Sequence, residues 1–236
     1  MMNPQATAEL SVKIPLLAGL DQALLDEVVK QMQVRRFTKR EAVIHKGDKG
    51  EELFFLLEGR LLVVDVSAEG RQTGLNFLVP GDFFGELAAI DELPRSATIL
   101  AVVPSTVAVL PRLAARKLIF ENPIVAERML RHIALRLRAS TDYRALLGIP
   151  NAFQRVFSLM EMLAKPDAGK LITIENMPTH DQIALMSNTS RETVTRALQT
   201  LHDQNVIEKD NKRIIIRFPD RLHIIIQQDP QGKANV

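Results

Sequence analysis

Between Val34 and Leu110 the chain alternates short apolar runs with turn residues, and beyond Pro111 that rhythm stops. The runs Leu53–Leu57, Leu61–Val66, Leu75–Val79 and Ala97–Val103 are rich in Leu, Val, Ile and Phe. Turn residues cut them at Lys46-Gly47-Asp48, Glu58-Gly59, Ala68-Glu69-Gly70 and Pro80-Gly81-Asp82. Bulky apolar runs this short cannot make a stable helix alone, but they fit a pleated, buried strand. Their spacing of roughly 8–14 residues predicts an antiparallel roll or barrel.

Helical spacing takes over after the roll. Met129, Ile133, Leu137, Ser140, Arg144 and Leu147 recur every three or four residues, so residues 112–147 read as one long helix. Pro123 is tolerable near its first turn. Gly148-Ile149-Pro150 supplies a stop and a hinge. The stripe either covers its own domain or forms the seam of a two-helix dimer, and its length points to the seam. Further on, Ala152–Ala164 reads as a helix. Two short helical patterns, Thr179–Met186 and Ser190–Gln204, follow and are joined by Ser187-Asn188-Thr189. Val206-Ile207, a turn at Lys209–Lys212 and Ile214–Ile216 then form a hairpin, giving the layout of a winged helix-turn-helix.

The 236 residues include no cysteine. That excludes disulfide scaffolds, cysteine-ligated zinc, iron–sulfur clusters held by thiolates and cysteine nucleophiles. Lys and Arg number 30 against 28 Asp and Glu, a net charge of only +2 that by itself predicts no nucleic-acid partner. The distribution says more. Residues 1–111 carry 15 acidic and 11 basic side chains, 112–147 carry 3 and 8, and 148–236 carry 10 and 11. Any DNA affinity would therefore rest on the placement of a few groups such as Arg191, Arg196, Lys212 and Arg213. His45, His132, His180, His202 and His223 show no close ligand spacing, so no metal is expected. No Ser–His–Asp arrangement, P-loop or dinucleotide fingerprint is present, and the chain is not expected to be an enzyme. The start, Met1–Leu10, is polar, and no apolar run approaches the roughly 18 residues of a membrane span. The expectation is a cytoplasmic protein without a membrane partner.

Thr179 and Ser190 stand where helix N-caps belong. Ile183, Ala184, Val194, Leu198 and Leu201 supply the packing faces. On the second helix Arg191, Glu192, Thr193 and Thr195 fall in the first turn and a half, the part of a recognition helix that meets base edges. Arg can donate two bonds to guanine, and Glu can accept from cytosine. Glu192 and Arg196, four residues apart, could pair. Alone, these residues fit equally an ordinary charged surface helix. The string Ser190-Arg191-Glu192-Thr193-Val194, with Arg196 and then Asp203–Ile207 and its hairpin, resembles the catabolite activator branch of the CRP/FNR family of bacterial transcription regulators.

A second string supports the same resemblance. Pro80-Gly81-Asp82-Phe83-Phe84-Gly85-Glu86-Leu87-Ala88-Ala89-Ile90, followed by Pro94-Arg95-Ser96-Ala97-Thr98, looks like the phosphate-binding cassette of cyclic-nucleotide-binding domains. The residue types suit the task. Gly85 lets the backbone approach a phosphate, and the following amides of Glu86, Leu87 and Ala88 can donate to it. Arg95 and Ser96 add a delocalised cation and a hydroxyl, while Glu86 can accept from a ribose hydroxyl. On spacing alone, a roll whose turn happens to hold a Glu–Arg pair would serve as well.

The resemblance spans about Leu16 to Phe218. It implies an α+β chain: a cyclic-nucleotide-binding β-roll at 16–111, a dimerisation helix at 112–147, a hinge at 148–150 and a winged helix-turn-helix at 151–222. It implies a homodimer that reads double-stranded operator DNA with TGTGA-like half-sites and works with RNA polymerase, which the loop Lys165–Gly169 would contact. The residues set against DNA are Thr179, His180, Ser190, Arg191, Glu192, Thr193, Thr195, Arg196 and Lys212. The effector implied is cyclic AMP, with Ser140 and Thr141 matching the two hydroxyls that meet adenine in the family, although small polar packing would explain them too. Arg144 departs from the apolar seam residue of the close relative and keeps cyclic di-GMP open. Another signal, or a constitutive regulator with the roll as scaffold, is the further alternative. The missing cysteines set aside the branch that senses oxygen through an iron–sulfur cluster.

Overall fold

The structure is a computed structural model that describes residues 13–66 and 72–227. The expected turn at Ala68-Glu69-Gly70 and the polar start Met1–Leu10 lie outside the described residues. The chain divides into two compact units, residues 1–138 and 139–236.

The N-terminal unit opens with a 3₁₀ turn at Pro15–Leu17 and helix α1 (Gln22–Gln31), which starts where the Asp21 carboxylate accepts from the Ala23 amide. Eight strands follow: β1 (Gln33–Phe37), β2 (Ala42–Ile44), β3 (Glu52–Glu58), β4 (Leu61–Val66), β5 (Gln72–Leu78), β6 (Phe83–Phe84), β7 (Thr98–Ala101) and β8 (Ser105–Pro111). They form two antiparallel four-stranded sheets, ordered β1-β8-β3-β6 and β2-β7-β4-β5. Strand β3 shows why this region reads as unbroken apolar runs. Phe54 and Leu56 point into the core between the sheets with Leu61, Leu78, Phe84 and Val107. Leu53 and Phe55, on the opposite face, pack with α1 and later helices against Leu25, Val28, Leu118 and Met129. A strand buried on both faces has no polar side to alternate with. At the β3–β4 turn Gly59 has φ +94°, and a Cβ there would stand 2.3 Å from the Ser105 hydroxyl and 2.6 Å from the Pro104 carbonyl oxygen, so only glycine fits.

The single helix expected over 112–147 is two helices. A short helix α2 (Glu86–Asp91) lies within the roll, and after β8 come α3 (Arg112–Phe120) and α4 (Pro123–Gly148). Proline lacks an amide and its ring would strike the carbonyl four residues back, so Pro123 starts a helix instead of continuing one. The carbonyl of Asn122 accepts from Ala126, and its side chain donates back to Leu118. The stripe on α4 also divides. Met129 is buried and Ile133 packs against the same core, so this half covers the chain's own roll. The exposed apolar row is the neighbouring one, with Leu130 and Leu137 leading to Thr141. Arg128 ties α4 to the start of the chain by donating to the carbonyls of Leu16 and Ala18.

The C-terminal unit holds the end of α4, then α5 (Ala152–Leu163), α6 (His180–Met186), α7 (Arg191–Asp203) and α8 (Pro219–Gln227). Its sheet, ordered β11-β12-β10-β9, comprises β9 (Lys165–Pro166), β10 (Ile172–Ile174), β11 (Ile207–Asp210) and β12 (Arg213–Ile216). Phe157, Met160, Ile183, Val194, Ala197 and Leu201 form the buried centre. The expected hinge at Gly148-Ile149-Pro150 is bound into this unit. Arg155 donates to the carbonyls of Ile149 (2.8 Å) and Pro150 (3.0 Å), and on its other side to Ser187 (2.8 Å) and Asn188 (3.0 Å). Tyr143 and Leu146 are buried, and the Tyr143 hydroxyl donates to the Met186 carbonyl at the end of α6. Burial pushes that phenol up to about 12.

Candidate effector cassette and nucleic-acid interface

Sequence order β6–Gly85–α2 folds the cassette back under β3. Phe84 stacks on Phe54 with ring centroids 5.1 Å apart, which fixes the chain where it enters Gly85. Gly85 adopts φ +78°, and a Cβ there would meet the Arg95 guanidinium at 2.5 Å. The glycine therefore serves two ends, a left-handed entry to α2 and room for the arginine. Glu86 and Arg95 are each 5% exposed, and Ala88 is buried beside them. Leu87 and Ser96 are exposed. The close approach of Gly50, whose added Cβ would lie 2.0 Å from that of Ala88, packs the cassette from below.

Arg95 is already bound from within. Its Nη1 donates to the Gly85 carbonyl (2.9 Å) and its Nη2 to the Glu52 carbonyl (2.8 Å), with the guanidinium 5.3 Å from the Phe54 ring centroid. Burial lowers its pKa, the carboxylates of Glu52, Glu86 and Asp48 counter this only in part, and the guanidinium stays a cation. Arg116 of α3 closes the far end of α2. It donates to the carbonyls of Ala89 and Ile90 and pairs with Glu92 at 3.3 Å. On the β6 side, His132 of α4 lies against Phe83 with ring centroids 4.1 Å apart. Burial, with Arg136 nearby, pushes its pKa down to about 4, so the ring is neutral. Its Nε2 is buried without a hydrogen-bond partner among the described residues. Sequence reasoning missed Glu52, Arg116 and His132 because none lies in a motif. Only the tertiary fold brings them to the cassette.

The DNA-reading candidates are set by two caps. Thr179 forms a capping box with Gln182, accepting from its amide and donating its own amide to the Gln182 side chain. Ser190 accepts from the Thr193 amide at 3.2 Å and starts α7. His180 bonds the Thr195 hydroxyl at 2.8 Å, tying the two helices side to side. Arg191, Glu192 and Thr195 are exposed on the first turns of α7, and Lys212 is exposed at the hairpin tip. The backbone amide of Glu192 itself and the Ser190 hydroxyl hold the Glu192 carboxyl below its usual range, so it is a firm acceptor.

Several of these arginines have partners that the sequence alone did not indicate. Among the described residues no ion pair joins Glu192 to Arg196. Arg196 instead lies over the Phe153 ring, 5.7 Å from its centroid. Arg191 stands 3.8 Å from Asp181 of α6. Arg213 is engaged by three acids: it bonds Asp210 at 2.7 Å and lies 3.6 Å from Asp167 and 3.7 Å from Glu175. Ser140 and Thr141 are exposed on α4. Among the described residues no cluster of His, Asp and Glu could hold a metal, and no helix is long and apolar enough to cross a membrane.

Residues 34–122 match the cyclic nucleotide-binding domain and residues 154–224 the Crp-like helix-turn-helix domain. A cyclic AMP receptor protein of Thermus thermophilus is 31% identical over 193 residues, spanning 82% of this chain and 88% of the relative. The chain belongs to the CRP/FNR family. A second relative, the cAMP-activated global transcriptional regulator of Salmonella typhimurium, is 31% identical over 199 residues, or 81% of this chain and 93% of that one. Among solved structures, FixK2 of Bradyrhizobium japonicum has the same fold, with a TM-score of 0.69 at 24% identity over 82% of this chain and 96% of that one. This CRP/FNR chain is a ligand-responsive transcription regulator with a cyclic-nucleotide-binding domain and a DNA-binding helix-turn-helix domain. Such regulators are not enzymes.

Proposed function

We propose that the protein is a homodimeric regulator gated by cyclic AMP, which binds the cassette through Gly85, Glu86, Leu87, Ala88, Arg95 and Ser96. The observation that carries the reading is the buried Glu86 and Arg95 beside a left-handed Gly85. Two charged side chains, each 5% exposed, are costly to hold in a roll, and a phosphate and a ribose hydroxyl would offset that cost beyond what the internal partners of Arg95 already do. The relatives named for cyclic AMP support the choice of effector. Ser140 and Thr141 supply hydroxyls for the effector's base. The exposed row of Leu130, Leu137 and Thr141 on α4 is the dimer seam, in place of the stripe through Met129 and Ile133. In the cytoplasm, effector binding favours the dimer in which two α7 helices stand about one DNA turn apart, roughly 34 Å, over TGTGA-like half-sites. Arg191, Glu192 and Thr195 read base edges. Thr179, His180, Ser190, Thr193 and Arg196 hold the helix pair and its phosphate contacts, and Lys212 meets the backbone from the wing. The segment 165–169 faces RNA polymerase.

Titrating operator binding with cyclic AMP tests this reading. Cyclic AMP should raise affinity for the symmetric site at least tenfold. Gating by cyclic di-GMP instead, which the exposed Arg144 beside Thr141 would serve, would replace the effector. DNA binding indifferent to both would make the roll a scaffold.

A further inference from the structure

The carboxylate of Glu52 is shared between two arginines. Its Oε2 lies 3.9 Å from Nη2 of Arg95, and its Oε1 lies 2.9 Å from Nη2 of Arg35. The two arginines differ. The Arg95 side chain is 4% exposed, whereas that of Arg35, on the edge strand β1, is 44% exposed. Glu86 is taken by the effector's ribose in the reading above. Glu52 has no such assignment, yet it stands among the acids whose charge acts on Arg95.

We propose that Glu52 is a resident anion for Arg95 that weakens effector binding, and that Arg35 sets affinity by drawing this carboxylate away. The inference rests on the cassette reading and deepens it. A phosphate arriving at Arg95 must come close to the Glu52 charge, and two anions sharing one cation repel. Arg35 holds one oxygen in a charge-assisted hydrogen bond and so limits how far the carboxylate leans toward Arg95. The anchor of Arg95 does not depend on that charge, because Nη2 donates to the Glu52 backbone carbonyl, which any residue at this position provides.

The test is cyclic AMP binding by calorimetry on full-length wild type, Glu52→Gln, Arg35→Met and the double variant, with thermal midpoints measured in parallel. Glu52→Gln should bind about three- to tenfold more tightly, with a gain that shrinks as salt is raised. Arg35→Met should bind about two- to threefold more weakly, and that loss should vanish in the Glu52→Gln background. A purely structural role would weaken binding in both single variants together with their midpoints, and that pattern overturns the proposal. So does an unchanged affinity in Glu52→Gln while the wild type binds. No binding of cyclic AMP by any of the four proteins would overturn the cyclic AMP reading and this inference with it, a result distinct from the other two.

Discussion

Arg95 and Arg191 do opposite things with the same side chain. Arg95 sits inside the roll, held by two backbone carbonyls and an aromatic ring, and its geometry is complete before any effector arrives. Arg191 projects from α7 with 66% of its side chain exposed and a long ion pair to Asp181. On the proposed function, the cost of orienting the effector's cation is met during folding, whereas that of Arg191 is left to DNA binding. A buried, pre-oriented cation recognises one ligand in one pose. An exposed one can be redirected by the base it meets.

Replacing each arginine should separate these roles. Arg95→Leu should abolish effector binding, with affinity down more than about 100-fold by calorimetry. It should also lower the stability of the N-terminal unit by about 2–4 kcal/mol, because the Gly85 and Glu52 carbonyls lose their donor. A loss of binding with an unchanged melting curve would show that Arg95 holds the ligand but not the fold. Arg155→Ala tests the C-terminal unit in the same way. Four carbonyls lose one donor, and chemical denaturation should show about 2–3 kcal/mol of destabilisation with weaker operator binding. Arg191→Ala should leave the fold intact and cost about 1–3 kcal/mol at one base pair. A uniform loss over all sequences would make it a phosphate contact.

A smaller effect separates the units by pH. The His132 pKa of about 4 lies below its ordinary 6.5, so the unfolded chain takes up a proton before the folded unit does. The stability this contributes is whole above about pH 6.5 and is lost as pH falls toward 4, amounting to about 1–3 kcal/mol. His132→Leu should flatten that part of the stability curve for the N-terminal unit and leave the C-terminal unit unchanged. The smallest effect is expected at the wing. Asp210→Asn should release Arg213 from its shortest partner, and non-specific DNA binding should rise about two- to threefold at low salt.

Local patterns were readable where one stretch of chain decides the outcome. The N-caps at Thr179 and Ser190 and the strand pattern of β3 and β4 are settled by a few neighbouring residues. Pro123 was equally visible, yet its effect depended on whether the helix began before it or at it. Arg196 and Arg213 looked alike as candidates for DNA. Arg196 lies over Phe153, while Arg213 bonds the nearby Asp210 and also faces Asp167 and Glu175, and all of these partners but Asp210 lie tens of residues away in the chain.

By itself the sequence determined the order of the parts: a β-roll with a phosphate-type cassette, a helical span and a winged helix-turn-helix. These follow from hydrophobic period, turn residues and capping, all short-range. Only the tertiary structure decided which face of α4 is covered, since a helix row is buried or exposed by what packs on it. It also decided that the 148–150 segment is bound by Arg155, and that Glu52 stands between Arg35 and Arg95. Charges and carbonyls far apart in sequence meet only after the chain has closed around them.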